Sequence, residues 1–539
     1  MSGSSSPPPA DRPDRAGSGT GFAILIATGI LISRLFGLVR QHELSRWLGA
    51  SDAADAFNAA FKIPNFLQNL LGEGVLSASF IPVYAALLDR GEEDEANRLA
   101  GAVGTLLALV TALLVLTGVL ATPYLIGVIA PGFAGEKRDV TIRLVRILFP
   151  GAGLLVLSAW CLGILNSHRK FFLSYVAPVA WNVVIIASLV TFGGRSPGGG
   201  YDLATIAAWA SLAGSGLQLV VQLPSVMRLV RHLRPSLSTS SASVRVVARN
   251  FLPVVTGRGV VQLSAYIDVV LASLVSTGAV TVLANAQQLY TLPVSLFGMS
   301  VSAAELPAMS RASGSDVEVA EFLRRRLSAG LRRIAFFIVP SAAGFLALGD
   351  VIAGGIYQSG AFRRTDTVWV WGILAGSAVG LLASTFGRLY SSTYYALRDT
   401  RTPLRYALVR VVLTTGLGYL FALHLPRLLG IDPKWGAAGL TASAGIAGWV
   451  EFVLLRRSLN RRIGVTGVPA AFLIRLWIAA ALGAAAGWGV KLALGIGHPV
   501  VLAVLAIAAF GSVYFALTAA SGVEESLATL ARVRRLGQR

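Results

Sequence analysis

Apolar runs long enough to span a bilayer, separated by short polar connections, recur from residue 21 to residue 521. A spanning helix takes about 20 mainly apolar residues. Such runs fall near 21–39, 54–88, 101–130, 141–165, 173–194, 202–227, 248–276, 281–308, 333–357, 367–396, 403–424, 435–456, 468–492 and 499–521. The pattern predicts an all-α polytopic membrane protein of about fourteen transmembrane helices. Residues 1–20, rich in Ser, Pro and Gly, read as a disordered cytoplasmic tail. The first apolar run leads straight into Arg34 rather than into a small-residue cleavage site, so it reads as a span and not a secretory leader.

The polar connections divide the chain further. The long Arg- and Ser-rich stretch at 228–249 separates a first block of six spans, 21–230, from a second at 231–460. Two spans are then left over at 461–522, and a basic cytoplasmic tail follows at 523–539. Within the second block, Val319, Phe322, Leu323, Leu327 and Leu331 recur at helical spacing opposite Arg324, Arg325 and Arg332. That predicts an interfacial amphipathic helix near 316–331, lying on the cytoplasmic leaflet. The even connections carry most of the Lys and Arg, which places both termini on the cytoplasmic side.

Composition agrees with this reading: 55% of the 539 residues are hydrophobic, 13% are charged, and the mean hydropathy is +0.68. The net charge of +20 would suit nucleic acid, but positive-inside loops account for most of it, and no nucleic-acid partner is expected. The single cysteine, Cys161, excludes disulfides. His42, His168, His232, His424 and His498 are scattered without ligand spacing, so no metal is expected. No GxxxxGK[ST] loop and no catalytic constellation occurs. The chain reads as a transporter without a cofactor, driven by a coupling ion, the membrane potential or a substrate gradient, and not as an enzyme.

The candidate chemistry lies in charges that apolar spans retain, each costing roughly 2.5 kcal/mol or more at depth. The stretch Ser33–Tyr84 is richest, with Arg34, Arg40, Asp55, Lys62 and Glu73. Arg34, Gly37 and Arg40 fall at steps of about 60° on a helix, so two guanidiniums flank an uncrowded backbone and can grip a phosphate. Arg40 can alternatively be a snorkelling anchor at the outer interface. Asp55, Lys62, Asn69 and Glu73 share a face if their helix is continuous, but Pro64 predicts a break there. Lys62 paired to Asp55 or Glu73 would be a structural latch, a role compatible with gating. Arg143, Arg146, Arg258, Asp268, Glu305 and Arg388 are the further intramembrane charges. Cations outnumber anions, which suits an anionic substrate.

Six segments taken together resemble one family specifically: SRLFGLVR (33–40), the run from Asp55 to Tyr84, APGF (130–133), GILNSHRKFFLSYVAPVAWN (163–182), LPVSLFGMSVSAAELPAMS (292–310) and YALRDTRTP (395–403). They are similar to the MurJ (MviN) family of lipid II flippases, within the multidrug/oligosaccharidyl-lipid/polysaccharide exporter superfamily. The resemblance implies two six-helix lobes around a cationic central cavity, and spans 13–14 forming a groove for the lipid tail. It implies a bacterial plasma membrane protein of peptidoglycan biosynthesis that flips lipid II, or a related polyprenyl pyrophosphate saccharide, to the outer leaflet by alternating access. Cell-wall synthesis proteins are further candidate partners. Carried over position by position, substrate binding falls on Arg34, Arg40, Lys62 and Arg388, and gating on Asp55 and Glu73. Gln68, Asn69 and Gln288 stand where the family commonly has arginines, and Arg258 is the candidate to take over the second-lobe contact. The rival readings are a flippase for another polyprenyl-linked saccharide, a cation-coupled multidrug exporter, and a non-transporting cell-wall scaffold.

Overall fold

In the computed structural model, the second apolar run is a helix broken twice: α2 (Asp52–Leu71), α3 (Glu73–Ser79) and α4 (Ile81–Asp89) follow α1 (Ala16–Leu48). The structure describes residues 16–196, 198–230, 236, 241–495 and 497–536; side chains are described except at 16–28, 30, 252–254, 256–265, 530 and 532–536. The tail expected at 1–20 therefore lies mostly outside the described residues, and Ala16 already begins α1. The expected break at Pro64 is not where α2 ends. The helix runs through the proline, whose missing N–H removes one bond from a buried segment, and stops at Gly72, whose ψ of −150° leaves helical space.

The remainder of the first lobe is α5 (Glu93–Ile129), α6 (Gly135–Ser167), α7 (Phe171–Phe192) and α8 (Gly200–Leu229). The second lobe begins with α9 (Ala242–Val275) and α10 (Ala279–Pro293), which continues through a π-helical turn at Val294–Met299 into α11 (Ser300–Ser310). It goes on through α12 (Asp316–Tyr357), α13 (Arg364–Ala396), α14 (Arg401–Tyr419), a second π-helical turn at Leu420–His424, α15 (Leu425–Leu428) and α16 (Gly436–Ile463). Then come α17 (Ala470–Leu494), α18 (Pro499–Ala520) and a short terminal helix, α19 (Glu524–Leu536). Twelve of these segments are long and apolar enough to cross a bilayer, and α1 and α9 bring the set to about fourteen. The architecture is two six-helix lobes around a central space, with two helices added.

The amphipathic stretch near 316–331 is not a separate surface helix. A capping box at Ser315 and Glu318 starts α12, and nothing between 331 and 333 stops it, so the helix carries both segments without a break as far as Leu348, whose non-helical φ of −123° and ψ of 15° kink it. Leu323, Leu327 and Leu331 are buried in the second-lobe core rather than turned to lipid. The basic tail is helical over Glu524–Leu536, and Arg332 of α12 pairs with Glu525 of that helix at 2.9 Å. Chain alternation puts the starts of α1 and α9 and the ends of α8 and α18 at one end of the bundle, the terminal end. The loops near residues 50, 132, 277 and 360 lie at the other, the distal end.

Candidate functional site

The distal ends of the two lobes are joined by a polar seam, and Asp55 is its centre. Its side chain is fully buried. Oδ2 lies 2.8 Å from Lys137 Nζ at the start of α6 and accepts from Gly278 N at 2.7 Å. Oδ1 accepts from Thr281 N at 2.9 Å and from Thr281 Oγ1 at 2.8 Å. Gly278 precedes α10 and has no side chain to cap it, so four N–H groups at that helix start need outside acceptors. Asp55 supplies the cap from the opposite lobe, where a carboxylate also meets the positive end of the helix dipole. Lys137 bridges to Asp52 at 2.7 Å, and Asp52 accepts from Thr277 Oγ1 at 3.0 Å.

Further contacts extend the seam. Gln41 of α1 donates to Asn285 Oδ1 at 2.6 Å, Asn285 donates to Ser45 Oγ at 3.0 Å, and Tyr357 donates to the Asn285 carbonyl. Ala361 N donates to the Arg46 carbonyl at 2.7 Å. Gly132 approaches α9 so closely that a Cβ there would sit 1.9 Å from the Ser273 carbonyl oxygen. The Tyr357 bond lies within the second lobe and holds Asn285; each of the other contacts links the first lobe to the second, and together they close the distal end.

Lys62, seven residues after Asp55, is about 10.5 Å further along α2, beyond reach of that carboxylate. Neither Asp55 nor Glu73 pairs with it, so the expected latch is absent, and the cation Asp55 uses is Lys137, which its sequence surroundings did not single out. Lys62 instead donates to Gln287 Oε1 of α10 at 3.1 Å, and Gln287 donates to Asp268 Oδ2 of α9 at 3.3 Å. Asp268 is the carboxylate that acts electrostatically on Lys62, and Arg410 of α14 acts on Asp268 as well. Lys62 thus faces the second lobe at mid-membrane.

Arg40 is not a snorkelling anchor. Its guanidinium lies 5.1 Å from the ring centre of Phe61 on α2 and 4.9 Å from that of Trp181 on α7, inside the first lobe. Its Nε is buried and donates to no described acceptor. Arg34, two turns earlier, is exposed, and a Cβ at the intervening Gly37 would meet nothing within 4 Å. Arg388 on α13 is exposed too. Among the described residues neither Arg34 nor Arg388 has an ion-pair partner. Glu73 opens α3, exposed, and acts electrostatically on Tyr175 of α7. The Arg258 side chain lies outside the described residues. Glu305 is held by Arg326 at 3.0 Å and Arg333 at 3.6 Å, both from α12.

An apolar groove of about 400 Å³ runs between α10, α12 and α18, lined by Leu289, Leu296, Phe337, Leu348, Ile507 and Phe510 among others. None of its lining residues comes from α17, so the last two spans do not form it between them. Among the described residues no three His, Cys, Asp or Glu side chains cluster as a metal site.

Two bundles of six helices, twelve segments long and apolar enough to cross a bilayer, and a closed seam joining the bundles at one end define a polytopic membrane transporter. The fold is shared with a solved structure described as "Lipid II flippase MurJ, inward closed conformation", at a TM-score of 0.74 and 23% identity, covering 92% of this chain and 98% of that one. It is shared more distantly with an inward-facing multidrug resistance MATE family transporter of the MOP superfamily, at 0.62 and 17%, covering 81% and 98%. The family model described as "Lipid II flippase MurJ" matches residues 44–514. The probable lipid II flippase MurJ of Rhizobium meliloti (strain 1021) is 31% identical over 473 residues, 85% of this chain and 84% of that protein. The lipid II flippase MurJ of Burkholderia cenocepacia is 30% identical over 447 residues, 82% of this chain and 84% of that protein. The chain belongs to the lipid II flippase MurJ family.

Proposed function

We propose that this chain carries lipid II, the polyprenyl diphosphate-linked precursor of peptidoglycan, from the cytoplasmic to the outer leaflet by alternating access between its lobes. The family match over residues 44–514, which takes in both lobes from the end of α1 onward and most of α18, is the observation that carries this reading. The excess of Lys and Arg in the terminal-end connections supports cytoplasmic termini, so the seam at Asp55 faces outward. A gate built from separate hydrogen bonds and one ion pair can exchange its partners for water when it opens, whereas a dry apolar seam would expose its whole area.

Arg34, Arg40 and Arg388 offer donors that no carboxylate occupies, and guanidiniums match the oxygens of a diphosphate bidentately. Lys62, held through Gln287 rather than by a direct ion pair, can turn to the same anion. Arg258 completes the second-lobe contact. The prenyl tail stays in lipid or in the groove between α10, α12 and α18. Because no nucleotide loop is present, the transport cycle draws on the membrane potential or a coupling ion.

The test is complementation of a strain depleted of its own lipid II flippase, with lipid II accessible from outside measured by a leaflet-specific assay. Restored external lipid II is expected; growth without it, or no rescue by a properly inserted protein, would overturn the reading.

A further inference from the structure

Arg143 and Arg146 on α6 are not used by the transport reading, and their direction is set by what the rest of that helix touches. Gly151 and Ser158 face α8: a Cβ at Gly151 would lie 3.2 Å from Ser215 Oγ, and Ser158 donates to Gln222 at 2.9 Å. Gly153 faces α5, where its Cβ would lie 3.1 Å from Val115. Lys137 faces α2 through Asp55. At 100° per residue the remaining face holds Asp139, Arg143, Arg146 and Pro150, all exposed. It looks outward between α5 and α8, on the side of the lobe away from α2 and the central space.

These arginines stand one turn apart and line, with Asp139, Ile147, Trp209 and Leu212, a cleft of about 450 Å³ between α6 and α8. Neither forms an ion pair with a described carboxylate, Asp139 included. Depth suits a lipid headgroup. α6 has 33 residues, about 50 Å, against a hydrocarbon thickness of about 30 Å, so about 10 Å at each end enters the interfacial zone. Arg143 and Arg146 begin about 12 and 17 Å from the distal end, and helical side chains lean toward the N-terminus, which here is the distal end. Their guanidiniums therefore reach back to the level of the lipid phosphates. Trp209, 56% exposed, stands at the same level, where interfacial aromatics sit.

We propose that the α6–α8 cleft is a binding site for an anionic phospholipid of the distal leaflet, its phosphate held by Arg143 and Arg146 and its acyl chain laid against Ile147, Trp209 and Leu212. Single snorkelling cations need no cleft, whereas two unpaired forks on one helix turn can chelate a phosphate from adjacent positions.

The experiment reads lipid retention by native mass spectrometry of the full chain released from nanodiscs of phosphatidylglycerol and phosphatidylethanolamine. The wild type is expected to retain phosphatidylglycerol, with occupancy falling about tenfold in R143Q/R146Q and unchanged in the single-charge control Arg475→Gln. R143K/R146K, which keeps the charge and loses the forks, is expected to fall between them and serves if the glutamine variant does not fold. Equal retention in the wild type and either double variant would overturn the proposal. So would an equal loss in Arg475→Gln, or retention of an added polyprenyl diphosphate with no retention of phosphatidylglycerol.

Discussion

Asp55 in the first lobe caps α10 in the second, accepting from Gly278 N at 2.7 Å and Thr281 N at 2.9 Å, while Lys137 holds the same carboxylate at 2.8 Å. One buried group thus joins three helices, and its removal leaves Lys137 and the α10 start short of partners together. Breaking a buried pair from one side costs roughly 3–5 kcal/mol, enough to move a two-state equilibrium about a hundredfold or more. Asp55→Asn is therefore expected to open the distal seam. A Thr277→Cys reporter should react with a membrane-impermeant maleimide much faster in the Asp55→Asn background, and external lipid II should fall at least about tenfold. The one native cysteine, Cys161, is buried, so background labelling is low. Equal labelling in both backgrounds would remove Asp55 from the gate.

Gly132 tests the same seam sterically. A Cβ at that position would sit 1.9 Å from the Ser273 carbonyl oxygen, a backbone atom that cannot swing away. Gly132→Ala must therefore hold the lobes apart or move α9, and flipping is expected to be lost while expression and insertion persist. Gly127, where a Cβ would meet nothing within 4 Å, is the matched control, and Gly127→Ala should keep its activity. Transport by the Gly132→Ala protein at the wild-type rate would show that the close approach is not needed for the cycle.

The difference between these two seam residues shows what could be read from the chain. Asp55 stands out because a carboxylate among apolar residues is costly enough to need a reason, and the same contrast reveals Arg34, Arg40 and Lys62. Lys137 lies beside Glu136, Arg138 and Asp139, in a mixed-charge connection between spans where a charge is ordinary, so nothing local marks it. The partners of Asp55 in the second lobe, Gly278 and Thr281, are more than 220 residues away from it, and only the fold brings them together. One signal was available: α10 begins after a glycine with no Ser, Thr, Asp or Asn at its cap position, an unmet need that points to a cap from elsewhere. The stripe at 319–331 misled for a related reason. An apolar helix face looks the same in sequence whether lipid or the protein's own core covers it.

Arg40 separates charge from shape. Its guanidinium lies beside the stacked Phe61 and Trp181 rings, 5.1 and 4.9 Å from their centres, which fixes the fork, and its buried Nε donates to no described acceptor. Lysine keeps the positive charge but neither the planar stack nor the bidentate geometry. Arg40→Lys is expected to lower the initial rate of lipid II flipping about tenfold, with Arg40→Ala lower still. If Arg40 served only as a charge, Arg40→Lys would retain the wild-type rate in the same vesicle assay.

Asp399, at the terminal end between α13 and α14, gives a pH dependence whose sign can be fixed. Thr402 N donates to its Oδ1 at 3.0 Å and Arg401 N at 3.1 Å, Thr402 Oγ1 donates to Oδ2 at 2.7 Å, and Arg462 of α16 pairs with Oδ2 at 2.8 Å. The Thr402 backbone N–H foremost, then its hydroxyl and Arg462, hold this carboxyl below the ordinary carboxylate range. A depressed folded-state pKa means that the stabilisation is fully present above the unfolded value, near 3.9, and is lost as pH falls through the folded value. The motif ALRDTRTP thus has a structural reading: its aspartate starts α14 and ties that helix to α16. Asp399→Ala is expected to cost about 1 kcal/mol at neutral pH, the usual worth of a helix cap, and to lower the Tm of the purified protein. The gap in Tm between wild type and variant should stay constant from pH 7 to about 5 and narrow below about pH 4. A gap that widened in acid would mean that Asp399 acts as the neutral acid and that its hydrogen bonds are to the protonated form.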